Sequence, residues 1–130
     1  MNIEQVIYSV LKSDTAVSDL VSDRITPLIR PQGQSLPAIT YQQIDNIIEH
    51  TVEGATGDKA SRWQINCFSD DYDEMIALGK AVEAVLDGYK TAGIDHIFLM
   101  DEGEIEPTDF ESEDFTIYVK RMDFEIFYSD

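Results

Sequence analysis

Apolar residues at Ile3, Val6, Ile7, Val10 and Leu11 recur at spacings of three and four, which predicts a helix of about three turns with one face to bury. Ser13 and Asp14 stop it, and Ala16 to Val21 predict a short further turn of helix. Arg24 to Leu28 reads as a brief edge strand, because Pro27 cannot donate to a ladder. Pro31, Gly33 and Pro37 then hold a non-helical path, and Pro37 sets the point at which Ala38 to Ile44 enters a sheet. There the period changes to two, with Ile39 and Tyr41 opposed to Thr40 and Gln42. Arg62 to Phe68 repeats that alternation, Trp63, Ile65 and Cys67 inward against Arg62, Gln64 and Asn66. Between the two, Asp45 to Ala60 carries Gly54, Gly57 and no sustained period, and the expectation is a long mobile loop that orders only on a partner.

Ser69 is placed to cap the next helix, over Asp70 to Asp87, with Asp70, Asp71, Asp73 and Glu74 where the macrodipole favours anions. Met75, Leu78, Val82, Val85, Leu86 and Tyr89 give its buried stripe, and Gly88 ends it. Ile94 to Met100 is apolar in both phases and reads as a central strand. Asp101 to Asp114, with eight acids and no base, reads as a solvated loop. The last strand, Phe115 to Tyr128, has Phe115, Ile117 and Val119 in one phase and Met122, Phe124, Ile126 and Tyr128 in the other. A bulge near Lys120 and Arg121 would reconcile them. The expected fold is a single α+β domain over residues 1–130, a mainly antiparallel sheet of about four strands with two helices packed on it. Trp63, Ile65, Val82, Leu86, Phe98 and Phe124 belong to its predicted core.

Composition sharpens the functional reading. The chain has 26 acids against nine bases, a formal charge of −17, and residues 46–130 carry −15 of it. Such a field repels nucleic acid and anionic membranes over a Debye length of about 8 Å at physiological salt, so ordinary DNA binding is disfavoured. No apolar run approaches the length of a membrane span, and the first residues lack a basic leader; the expectation is synthesis and retention in the cytoplasm, with no membrane partner. One cysteine, Cys67, allows no internal disulfide and no thiolate metal cage.

Candidate chemistry is sparse. Gly54 to Ser61, GATGDKAS, resembles a phosphate loop only faintly, since Asp58 and Ala60 break the Gly-Lys-Ser adjacency. The acids at 101–114 fail the spacing of an EF-hand, which leaves at most weak divalent binding beside the plainer reading of a solvated loop. His50 and His96 have no second ligand at metal spacing, and Cys67 shares its phase with Trp63 and Ile65, where thiols are inert. Neighbouring carboxylates such as Asp70 and Asp71 are accounted for by helix capping. The expectation is a non-enzyme with no catalytic residue, no cofactor and no metal.

The segment DRITPLIRPQGQSLPAITYQ carries more. Its Arg24-Ile25-x-Pro27 step, Pro31-Gln32-Gly33 turn, Leu36-Pro37 and closing Tyr41-Gln42 resemble the tail-completion, or tail terminator, proteins of long-tailed bacteriophages. RWQINCFSDDYDEMIALGKAVEAVLDG, with Cys67, Phe68 and Tyr72, and the C-terminal MDFEIFY extend the resemblance over nearly the whole chain. Ala38 departs where an aromatic is common, and the tracts 45–60 and 101–114 are individual to this chain.

The resemblance implies a virion protein at the tail–head junction, forming a homo-oligomeric ring, of six, that caps the tail tube and joins it to the head. Its partners would be further copies of itself, the major tail-tube protein and a head-completion or neck protein; the charge of such a ring then implies DNA passing through unbound and an isolated subunit that is mainly monomeric. On that reading Glu49, His50, Glu53 and Asp58 are partner-interface candidates, and Glu102, Glu104, Asp109, Glu111 and Glu113 are candidates to face the channel. Two alternatives of other classes stand beside it: an acidic DNA mimic that inhibits a nucleic-acid enzyme, and a small-molecule binding domain, which needs a pocket of roughly 300 Å³ or more.

Overall fold

The computed structural model describes residues 2–31, 33–51, 54–105 and 116–129, the side chains of 47–58 and 129 excepted. In chain order its elements are α1 (Ile3–Ser13), α2 (Thr15–Val21), β1 (Ile25–Pro27), β2 (Ala38–Thr51), β3 (Gly54–Ser69), α3 (Tyr72–Leu86), β4 (Ile94–Ile105) and β5 (Tyr118–Ser129). The fold is α+β, as expected, with five strands in the order β1-β2-β3-β5-β4. β1 runs parallel to β2, and the other three pairings are antiparallel.

Local chemistry sets the helices. Asn2 caps α1 by accepting from the Gln5 N–H. Asp14 does two jobs at once, closing α1 with its own N–H and capping α2 by accepting from Val17. α3 begins two residues later than the acidic run suggested: Asp71 is its cap, accepting from Asp73, while Ser69 accepts from the Asp71 N–H and donates to Glu74. At its far end Asp87 accepts from the Leu99 N–H, and Gly88, at a φ of +84° that suits glycine, donates to the Ile97 carbonyl. Arg24 ties the end of α2 to the connector, with Nε on the Pro37 carbonyl at 2.8 Å and Nη2 on that of Leu20 at 3.2 Å.

The helices cover one face of the sheet. Leu11, Val17, Leu78, Val82 and Leu86 pack there against Ile39, Ile65, Met122, Phe124 and Ile126. Among the described residues the opposite face is covered at one end, where Phe68, Ile117 and Val119 cluster with Leu36 and Ile105. That second cluster corrects the expected bulge near Lys120 and Arg121. The β3–β5 ladder runs unbroken from Asp58–Ser129 to Ser69–Tyr118, and the phase of burial changes because a different face is covered, not because the register slips.

Three further expectations fail. Asp45 to Ala60 is no loop: β2 and β3 stay paired through it, to Thr51 and from Gly54. A bulge at Gln43/Asp45 adds one residue on β2 and the shift at Ile48/His50 adds two on β3, and together they break the period of two, which is why no alternation was visible. Ile94 to Met100 is not central. β4 is the edge of the sheet, and Phe98, expected in the core, is exposed while Trp63, Ile65, Val82, Leu86 and Phe124 are buried. Asp101 to Ile105 continues β4 in place of the expected loop, and 106–114 lie outside the described residues.

Cys67 is fully buried beside Lys120, and burial pushes its thiol from 9.0 up to about 12, the Lys120 charge pulling weakly the other way. A raised pKa stabilises the fold fully below about 9 and loses that contribution as pH climbs from 9 to 12. The wild type should therefore lose melting temperature between pH 8 and pH 11 more steeply than Cys67→Ala. Its thiol should also resist alkylation at pH 8 until denaturant is added; labelling of the native protein would refute the burial.

Candidate assembly surface

With the helices on one side, the sheet's open face and its two edges are surfaces open to partners. Across the middle of the open face the register sets Thr40, Asn66, Arg121 and Gly103 in one row and Gln42, Gln64, Asp123 and Asp101 in the next. Arg121 lies between Asp123, its close partner, and Asp101, 3.4 Å away. Gly103 makes room for it, since a Cβ there would stand 3.0 Å from the Arg121 Nη2. Asn66 donates to Thr40 and accepts from Gln64, which keeps the face polar, while Asp123 Oδ1 is buried without a hydrogen-bond partner.

The edges differ. After β1 the chain turns sharply: the Leu28 N–H reaches the Tyr41 carbonyl at 2.9 Å, the Ile29 N–H reaches that of Pro27 at 2.7 Å, and the Thr26 hydroxyl donates to the Ile29 carbonyl. Leu28 sits at a φ of +64°, a region leucine rarely adopts, and the turn leaves Leu28 65% and Ile29 76% exposed. On β4, at the other edge, His96 stacks on Phe98 at 3.9 Å between centroids, and Phe98 meets Phe127 edge to face at 5.8 Å. Phe98 is 41% exposed, Met100, at the bulge, 57% and Phe127 38%.

The tail completion protein gp17 family model matches residues 5–129. The chain belongs to that family. A tail completion protein is a structural component of a phage-like virion, placed where tail meets head. Among solved structures, one chain of the virion of a native gene transfer agent particle superposes with a TM-score of 0.74 at 15% identity, over 95% of this chain and 92% of that one, a likeness of fold. Comparison with curated proteins finds no match.

On this tail completion fold, the expected interface residues come together in part. Glu49 and His50 on β2 and Asp58 on β3 share the outer half of the long hairpin, where His50 pairs with Ala55 and Asp58 with Ser129; Glu53 lies outside the described residues. Of the acids expected to face a channel, Glu102 lies 3.8 Å from the Lys120 ammonium and Glu104 accepts from the Tyr72 hydroxyl, both on the helix side of β4. That hydrogen bond pushes the Tyr72 phenol above its ordinary value. Asp109, Glu111 and Glu113 fall outside the described residues.

Three hollows of about 320, 360 and 430 Å³ flank α1, the largest between Glu4, Tyr8 and Tyr41, and all are broadly open to solvent. They meet the size asked of a small-molecule site but enclose nothing. The exposed apolar pairs at the two edges were not singled out from the sequence. A signal for Leu28 and Ile29 existed, two large apolar residues between prolines with no period to bury them; for Phe98 none did, because an apolar run cannot say which face is covered.

Proposed function

We propose that this protein is a tail terminator: a ring, of six copies, that closes the head-proximal end of the tail tube and provides the platform on which the head is joined. The family match across residues 5–129 carries the reading. A ring needs each subunit to hold two neighbours, and a subunit built as an open sheet with helices on one side presents two sheet edges for them. The outer half of the β2–β3 hairpin, with Glu49, His50, Glu53 and Asp58, is the part assigned to the tail tube or neck protein.

Particles made without this protein should accumulate as filled heads and unjoined tails, and electron microscopy of complete tails should find it as one ring at the head-proximal end. Finding it along the tube or at the distal tip would defeat the reading. Replacing Glu49, His50 and Asp58 by alanine should reproduce the unjoined phenotype with an unchanged melting temperature; joined particles would remove the hairpin from the interface.

The charge fits the same reading, since acidic walls let a polyanion slide past without binding. Glu102, Glu104, Asp109, Glu111 and Glu113 are assigned to the lumen or its rim. Reversing Asp109, Glu111 and Glu113 to lysine should slow DNA ejection from assembled particles, and normal ejection kinetics would take these three off the channel.

A further inference from the structure

We propose that neighbouring subunits of the ring meet head to tail through unlike sheet edges, the Leu28–Ile29 turn beside β1 of one copy packing on the Phe98–Met100–Phe127 platform of the next. The inference rests on the ring reading and names its contact. Four observations carry it.

The first is position. The two apolar groups stand at opposite edges of a five-stranded sheet, four strand spacings or roughly 19 Å apart, so neither can cover the other within one subunit. The second is level. Pro27 pairs with Tyr41, Tyr41 with Ile65, Ile65 with Met122 and Met122 with Glu102, which makes one row across the whole sheet. One step on from that row the chain leaving β1 reaches Leu28 and turns at Ile29, while β4 reaches Asp101, the bulge at Met100, and then Leu99 and Phe98. Two copies set side by side, edge to edge, therefore bring these residues together without sliding along the strands.

The third is charge. Between Asp23 and Asp45 lie 21 residues with no acid and two bases, Arg24 and Arg30, in a chain where one residue in five is acidic. β4 carries Asp95, Asp101, Glu102 and Glu104 and no lysine or arginine. Two β4 edges would repel each other, whereas the acid-free edge is a surface that an acidic edge accepts. This selects an unlike, ring-forming contact over a two-fold one. The fourth is preparation. The strained Leu28 is held outward by a hydrogen-bonded turn, and the aromatic platform is already stacked, so little ordering remains to be done on contact.

Cross-linking tests it cleanly, because the native thiol at Cys67 is buried. Ile29→Cys and Met100→Cys lie at exposed positions, and both variants should melt as the wild type does. Under mild oxidation at about 500 mM salt, where self-repulsion is screened, each single variant should stay uncross-linked, an equimolar mixture should give one dimer, and the double variant a ladder of oligomers. Dimers of either single variant would mean a two-fold contact, and no product from the mixture would mean different edges or none; either outcome overturns the proposal. The cross-link does not ask what the ring caps. A ladder from a protein that is absent from tail ends would leave the contact standing and remove the terminator reading, and no ladder from a protein found there would do the reverse.

Discussion

Phe124→Ala should cost about 3–5 kcal/mol, a large share of the roughly 5–15 kcal/mol that holds a domain together. Phe124 is fully buried on the helix face of the sheet, between Trp63 on β3 and Leu99 on β4 in the register, beneath the stripe of α3. Truncation removes a ring and leaves a void that a sheet paired on both sides cannot close by moving. A fall in melting temperature of roughly 10–20 °C is expected for a chain of this size. Phe98→Ala supplies the control. It removes the same side chain one register step away, but from the open face at the edge, and should change stability by less than about 0.5 kcal/mol. Equal losses in the two variants would mean that the open face is covered in the isolated subunit, and the assignment of faces would fall.

The second large effect concerns assembly. Six copies at −17 carry −102, so in free solution a ring must form against its own field. The acid-free edge relieves this only locally, where two bases meet four acids, and the net charge dominates at long range. Sedimentation should find a monomer at about 20 mM salt, where the Debye length is about 20 Å, and head-to-tail oligomers at about 500 mM, where it falls to about 4 Å. A stable hexamer at the lower salt would show that edge burial outweighs repulsion, and that the tail is not needed as a template.

Much of the fold could be read from spacing, and what could not be read has a physical cause. The stripes of α1 and α3 and the alternation at Trp63, Ile65 and Cys67 come from burial on a single face, which periodicity reports faithfully. β5 defeats it because Val119 is buried on one face and Met122 on the other. The outer hairpin was hidden by its two bulges, and by Gly54 and Gly57, whose turn chemistry outweighs pairing in any local reading. β4 misled for a subtler reason: its second apolar phase, at His96 and Phe98, faces outward, and a chain that keeps aromatics at an uncovered edge looks from its sequence like one that buries them. The candidate site follows the same logic. Family resemblance reached the tail, but the edges came from the register.

The strand order has a consequence for how the protein is made. β5 is the last of these five strands to be synthesised, yet it lies between β3 and β4. Until it leaves the ribosome, the hairpin of β2 and β3 and the β4 segment have no common partner, and α3 has only part of a sheet to lie on. Long-range closure of this kind is slow, and every chain that stalls before Tyr118 is left with the slot between β3 and β4 empty. Proteolysis of stalled nascent chains should find them digestible up to that length and resistant once the strand is free. An incomplete subunit could then never be mistaken for a finished one, which matters where a single defective copy would leave a gap in a closed circle.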